Sequence, residues 1–95
     1  MSIAFEWSPA KAASNLAKHE VAFEEAMTVF ADPLARIFDD PDHSAAESRE
    51  IIVGHSADQR LLMVSFTTRR DSVRIFSARK VTRRERRDYE ENVIR

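Results

Sequence analysis

The stretch SARKVTRRERRDYEE, residues 77–91, reads as the end of a strand running into a helix whose charges stand in reverse order. A helix N-terminus carries roughly half a positive charge and favours carboxylates, each worth about 0.3 to 1 kcal/mol at an exposed site, yet this helix opens on arginines and closes on carboxylates. Its start has an independent mark in Thr82-x-x-Glu85, a capping box in which the threonine hydroxyl and the glutamate carboxylate satisfy two otherwise unpaired backbone N–H groups. At 100° per residue Tyr89 and Val93 form the inward stripe, Glu85 and Arg86 border it, Arg83 projects sideways, and Arg84, Arg87, Asp88 and Glu91 face outward.

Upstream of this helix, Arg49 to His55, Leu61 to Thr68 and Val73 to Lys80 read as three strands joined by short polar turns, the spacing of an antiparallel meander. Leu61 to Phe66 is apolar at every position but Ser65, so it is expected at the centre, covered on both faces. Gly54, the only glycine, marks a bulge or a close backbone approach within its strand. Leu34 to Phe38 is a further candidate strand, followed by the acidic loop Asp39-Asp40-Pro41-Asp42-His43-Ser44.

The chain opens with a short strand, Ile3 to Trp7, that ends at Ser8-Pro9, a helix start in which serine caps and proline loses no hydrogen bond. From Pro9 to about Lys18, Pro9, Ala12, Ala13 and Leu16 are expected to face inward, with Lys11, Asn15 and Lys18 as the wet stripe. A second helix runs from about Phe23 to Ala31, with Phe23, Ala26, Met27 and Phe30 at helical spacing, and Asp32-Pro33 stops it. The order strand, two helices, four strands, helix predicts an α+β domain with helices packed on a mostly antiparallel sheet.

Ninety-five residues, 43% hydrophobic and 33% charged, suit one small globular domain over residues 1–95. The absence of cysteine excludes disulfides, thiolate metal sites and a cysteine nucleophile, and accords with a reducing cytoplasm. The longest apolar runs are strand-sized, and MSIAFEWS lacks the layout of a secretory signal, so no membrane association is expected. The net charge of −1 conceals a split: residues 1–58 carry −7 and residues 59–95 carry +6. A basic surface draws polyanions, although the halves could instead pair with one another in the fold.

Between Arg69 and Arg87 stand nine basic side chains, eight of them arginine, against Asp71 and Glu85. A guanidinium is a rigid fork that holds phosphate through two hydrogen bonds, whereas solubility alone would be served as well by lysine. The plainer reading is a solvated helix laced by Arg84 with Asp88, Arg86 with Glu90 and Arg87 with Glu91, but these pairs run in the less favourable orientation and each contributes only a few tenths of a kcal/mol. The cluster therefore points to phosphate or nucleic acid. Other candidates carry less. His19 is either an acid–base group or a cation at a helix C-terminus. His43 among Asp39, Asp40 and Asp42 matches no established metal-ligand spacing, and Trp7 is more readily core than a stacking platform.

Phe5-Glu6-Trp7-Ser8-Pro9-Ala10-Lys11, Asn15, Lys18-His19, Phe23-Glu24-Glu25-Ala26, Phe30-Ala31-Asp32-Pro33, Glu47-x-Arg49, Gly54, Arg60-Leu61-Leu62, Arg74-Ile75-x-Ser77-Ala78-Arg79 and Arg84-x-Arg86-Arg87-x-Tyr89-Glu90 together resemble the BrnT toxin family over almost the whole chain. Three positions depart from that pattern. Glu20 stands where a glycine follows Lys-His, at a left-handed cap and a cost of about 1 kcal/mol. Ala22 replaces a capping serine, and Gln59 replaces a turn glycine.

The resemblance implies a RelE-like fold and the toxin of a type II toxin–antitoxin system, an endoribonuclease that cleaves RNA and arrests translation. It also implies a BrnA-like antitoxin with a ribbon-helix-helix part, operator DNA being reached only through the toxin–antitoxin complex. No cofactor is expected. With no convincing metal cage, cleavage is expected to proceed by attack of the RNA 2′-OH on its neighbouring phosphate, with guanidinium groups neutralising the phosphorane. Arg79 and Arg83, with Arg49 and Arg86, are the expected catalytic residues; Arg69, Arg70, Lys80, Arg84 and Lys11 are expected to position the strand. The general base stays open between His19 and Glu50. The alternative is a noncatalytic module that binds nucleic acid or an antitoxin through the same surface.

Overall fold

The computed structural model describes residues 3–40 and 48–94, with side chains described through Asn92. Among the described residues five strands and three helices follow one another as β1 (Ala4–Glu6), α1 (Pro9–His19), α2 (Phe23–Val29), β2 (Arg36–Asp39), β3 (Glu50–His55), β4 (Leu61–Arg69), β5 (Ser72–Lys80) and α3 (Arg83–Ile94). They form one sheet in the order β1-β5-β4-β3-β2. The last four strands are antiparallel neighbours, while β1 lies parallel to β5. The element order agrees with the reading of the sequence, and the apolar β4 is central.

The two faces of β4 serve two cores. Leu62, Val64 and Phe66 point to the side covered by α1 and α2, where they meet Val21, Phe23, Ala26 and Val29 of the helical layer and Ile52, Val73, Ile75 and Ala78 of the flanking strands. Trp7 belongs to this layer, its ring edge-on to Phe23 at 5.7 Å, as expected of a core residue. On the opposite side a smaller cluster of Val53, Leu61 and Tyr89, joined by Ile51, Met63 and Val81, seats α3. Tyr89 thus points inward as its spacing requires; Val93, expected beside it, lies outside the described side chains. Burial of each large aliphatic residue contributes about 1.5–3 kcal/mol, so the doubly clad β4 is the main apolar stabiliser.

The turns explain several local departures. Glu20 adopts φ 59° and Gln59 φ 64°, both in the left-handed region. Ala22 caps α2 without a side-chain hydrogen bond. Arg60 compensates: its guanidinium donates to both carboxylate oxygens of Glu25 and to the carbonyl of Glu20, and Ser56 Oγ donates to Glu25 at 2.7 Å. The carboxyl of Glu25 is accordingly held below its ordinary range, first by Arg60. Gly54 marks a close approach, because a Cβ there would sit 2.8 Å from that of Ala35 and 3.0 Å from Asp32 Oδ2. Asp32 fills this corner, accepting from the backbone N–H groups of Leu34 and His55 at 2.9 and 2.7 Å.

The expected orientation of α1 is overturned. Leu16, assigned to the inner face, is 51% exposed, whereas Asn15, assigned to the wet stripe, is 6% exposed. The reason lies in the sheet. β1 pairs with β5 only as far as Glu6 opposite Arg74, which leaves the rest of β5 without a strand on that side. Asn15 takes the strand's place: its Nδ2 donates to the carbonyls of Ala78 and Val21 at 2.8 and 2.9 Å, and its Oδ1 accepts from Ala78 N at 3.1 Å. A buried amide that satisfies three backbone groups outweighs the inward preference of Leu16, since each such group left unpaired costs about 1–3 kcal/mol.

Two stability measurements check these assignments. Asn15→Leu, close in volume but without the amide, should lower the unfolding free energy in urea by about 3 kcal/mol or more. Glu20→Gly should raise it by up to about 1 kcal/mol, because the left-handed backbone no longer carries a Cβ.

Candidate nucleic-acid interface

The register of β4 against β5 slips once. Ser65 pairs with Ser77 and Phe66 with Ile75, so Phe76 is an extra residue with no partner opposite it. A bulge of this kind bends the strand and re-aims a side chain. The buried positions of β5 change parity across it, from Val73 and Ile75 to Ala78. Phe76 and Ser77 consequently form a ridge shared by two grooves.

The first groove, of about 260 Å³, opens on the sheet face that α3 leaves uncovered. Its cations come from three separate segments: Lys11 from α1, Arg49 from the lead-in to β3, and Arg79 from the end of β5. Ile51, Met63 and Phe76 line it with apolar surface, Ser65 and Ser77 contribute hydroxyls, and Asp40 stands at its edge. The Phe76 ring gathers two of the charges, with Arg49 Cζ 3.9 Å and Lys11 Nζ 5.2 Å from its centroid. The second groove, of about 220 Å³, runs along α1 and adds Ser14, Lys18 and His19 to Lys11 and the ridge.

Arg79 is held more tightly than its expected role requires. Its Nη1 and Nη2 donate to Glu85 Oε1 and Oε2 at 2.8 and 2.9 Å, and the same two nitrogens reach the Lys80 carbonyl and Met63 Sδ at 3.2 Å each. Both prongs of the fork are thereby used, and only Nε is without an acceptor among the described residues. Glu85 also closes the capping box, accepting from Thr82 N at 2.8 Å while Thr82 Oγ1 accepts from Glu85 N at 3.1 Å. The Arg79 hydrogen bond above all, then the Thr82 cap, holds the Glu85 carboxyl at about 2 rather than the usual 4.5. The strand end and the helix start are thus one electrostatic unit.

The remaining sequence-predicted residues divide. Arg83 and Arg84 are exposed in the first turn of α3 and have no carboxylate partner among the described residues, but neither lines a groove. Arg86 faces Glu90 at 3.9 Å, the one i, i+4 pair of the three expected that forms among the described residues. Lys80 is exposed at the last position of β5. Arg69 and Arg70 lie at the β4–β5 hairpin, where Arg69 pairs across to Ser72 and approaches Glu6 at 3.6 Å. Arg79 pairs with Met63, six residues back along β4, so the hairpin cations stand roughly 20 Å from it. The nine expected residues therefore do not form one cluster: Lys11, Arg49 and Arg79 meet, and the others are distributed around them.

Of the two candidate bases, His19 faces the second groove, while Glu50 pairs with Asp39 and Phe66 inside the sheet and lines neither groove. Among the described residues no group of three or more His, Cys, Asp or Glu side chains is arranged to hold a metal ion. His43 and Asp42 of the acidic loop lie outside the described residues. Phe76 escaped the sequence reading; the three-residue step from Ile75 to Ala78, where alternation requires two, was its available signal.

A family model described as the ribonuclease toxin, BrnT, of type II toxin-antitoxin systems matches residues 7–85. No curated protein matches the chain. Among solved structures, the fold is similar to the 1.1 Å crystal structure of the Brucella abortus ribonuclease toxin BrnT, with a TM-score of 0.66 and 19% identity, over 86% of this chain and 100% of that one. No described helix is long and apolar enough to cross a membrane.

Acid titration tests the Arg79–Glu85 unit. Glu85 binds its proton more weakly in the folded chain than in the unfolded one, so its contribution is complete above about pH 4.5 and is lost as pH falls towards 2. Urea unfolding at pH 7 and pH 3 should show Glu85→Gln less stable than the parent by on the order of 2 kcal/mol at pH 7, with the gap narrowing at pH 3.

Proposed function

We propose, from the premise that this chain belongs to the BrnT family of ribonuclease toxins of type II toxin–antitoxin systems, that it cleaves single-stranded RNA without a metal ion at the groove shared by Lys11, Arg49 and Arg79. The observation that carries the reading is the meeting of three cations from distant parts of the chain on a surface with an aromatic floor. Solubility requires no such meeting, whereas a nucleic-acid strand uses both, cations for its phosphates and an aromatic ring for the flat faces of its bases.

The reaction is transesterification within the substrate. The 2′-oxygen bonds to phosphorus, the P–O5′ bond breaks, and a 2′,3′-cyclic phosphate and a 5′-hydroxyl result. Lys11 and Arg49 face the nonbridging oxygens, where negative charge builds in the phosphorane; removing one donor to such a charge typically costs about 10² to 10³ in rate. Arg79 works through its Nε–H alone, since Glu85 occupies its fork and balances its charge. His19, two turns along α1 from Lys11 and lining the second groove with it, is assigned the proton transfer, taking the proton of the 2′-OH, while water protonates the departing O5′. Arg83, Arg84 and Lys80 guide the strand beyond the groove, Arg86 does so once released from Glu90, and Arg69 and Arg70 engage only an RNA long enough to reach the hairpin.

The wider reading assigns the protein a RelE-like fold, a cytoplasmic site of action, arrest of translation through RNA cleavage, and neutralisation by a BrnA-like ribbon-helix-helix antitoxin that alone carries the complex to operator DNA. One observation favours a second reading, a noncatalytic RNA-binding module: the occupied fork of Arg79 leaves the groove with fewer free donors than a phosphorane could use.

Cleavage of a short labelled RNA in EDTA separates the two. The parent should cut it to a cyclic phosphate end, and Lys11→Ala and Arg49→Ala should each lower kcat/KM roughly 10²-fold with folding intact. Binding without cleavage supports the module, and activity that EDTA abolishes overturns the metal-independent mechanism.

A further inference from the structure

The position of the Phe76–Ser77 ridge between the two grooves has a consequence for the substrate. Phe76 is aromatic, half-buried, and placed outside the alternation of β5 by the bulge. Lys11 touches both grooves, and the hydroxyl of Ser77 lies between them. At about 260 and 220 Å³ the grooves are narrower than pockets for drug-sized ligands, about 300–1,000 Å³, and suit single bases rather than a duplex.

We infer that Phe76 is a wedge that parts two adjacent nucleosides of an unpaired RNA strand, one base entering each groove and the phosphate between them crossing the ridge beside Lys11. This inference rests on the ribonuclease reading and adds that the two bases at the cleaved step are unstacked. Stacked, helical RNA holds the 2′-oxygen away from the line of the P–O5′ bond, and displacement at phosphorus needs attacking and leaving oxygens in line. Parting the bases frees the sugar–phosphate torsions to reach that alignment. In the free protein Arg49 rests on the ring at 3.9 Å and Lys11 hovers at 5.2 Å. The looser Lys11, on its flexible stem, is the group that an entering base displaces, and the displacement moves its ammonium towards the phosphate. The ring then stacks on the base, an interaction that tolerates any base because each has a π face. His19 in the second groove and Arg49 and Arg79 in the first flank the reacting phosphate from opposite sides.

The test uses a fully 2′-O-methylated ten-nucleotide strand of alternating 2-aminopurine and adenosine, which lacks the nucleophile and stays intact, so any wedged step includes the fluorophore. Neighbouring bases quench 2-aminopurine, and a wedge relieves the quenching. Titration with the parent protein should raise the fluorescence several-fold, Phe76→Trp should keep the effect on binding, and Phe76→Ser should bind without it. The salt dependence of Kd, which counts displaced phosphate counterions, should be the same for parent and Phe76→Ser. On a cleavable strand Phe76→Ser should lower kcat/KM by roughly ten- to a hundredfold. A fluorescence rise that survives Phe76→Ser overturns the wedge, as does a salt slope that falls by one or more in that variant, since the ring would then serve only to seat Arg49 and Lys11. A parent protein that neither binds nor cuts RNA at low salt removes the ribonuclease reading itself, and the wedge with it.

Discussion

A single buried amide sets the geometry on which the site depends. β1 stops at Glu6, and beyond it β5 would present an open edge. Asn15 closes that edge by exchanging two hydrogen bonds with Ala78 and a third with Val21. The arrangement mimics a strand with one side chain, and it ties the middle of α1 to the one part of β5 that carries the bulge and Arg79. Lys11, one turn before Asn15, and His19, one turn after it, are therefore carried in fixed relation to Phe76. A polar residue in the interior is tolerable only because all its donors and acceptors in use are matched, and that matching makes it specific.

The reversed charges of α3 have two different explanations along its length. At the first turn Glu85 does follow the helix dipole, and it also accepts the two-pronged bond from Arg79, so the carboxylate serves the cap and the strand end together. Arg83 and Arg84 do not follow the dipole, and no carboxylate among the described residues offsets them. Their cost, a few tenths of a kcal/mol to about 1 kcal/mol each, is small against the core beneath Tyr89. A pair of exposed cations in the first turn of α3 is what remains in exchange.

Much of the architecture was legible because it is written locally. Helical spacing located Phe23 and Ala26, alternation and apolar runs located β3 to β5, Ser8-Pro9 and Thr82-x-x-Glu85 marked helix starts, and Gly54 marked a close approach; the left-handed turns at Glu20 and Gln59 were legible only through the family resemblance. The inner face of α1 was misread because helical periodicity scores apolarity, and Asn15 is buried for a reason that exists only once a parallel β1 of three residues has been laid beside β5. The candidate groove was legible only in part. Arg49, Arg79 and Lys11 converge through strand order, while Arg69 and Arg70, closer to Arg79 in sequence than Lys11 is, are sent to the far end of a hairpin by register. Phe76 required the bulge, a property of two strands together.

The carboxylate in the Arg79 fork also bears on which anions can compete for that guanidinium. Glu85 is tethered six residues away and anchored by the cap, so its local concentration at the guanidinium far exceeds that of any small anion in solution. Free phosphate or a mononucleotide arrives alone and meets a fork already saturated by a resident competitor. A long chain of phosphodiesters brings many attachments at once and need not evict the resident to stay bound. Glu85 thereby disfavours small anions at this one fork, and the strand binding proposed above would rest on Lys11 and Arg49 instead.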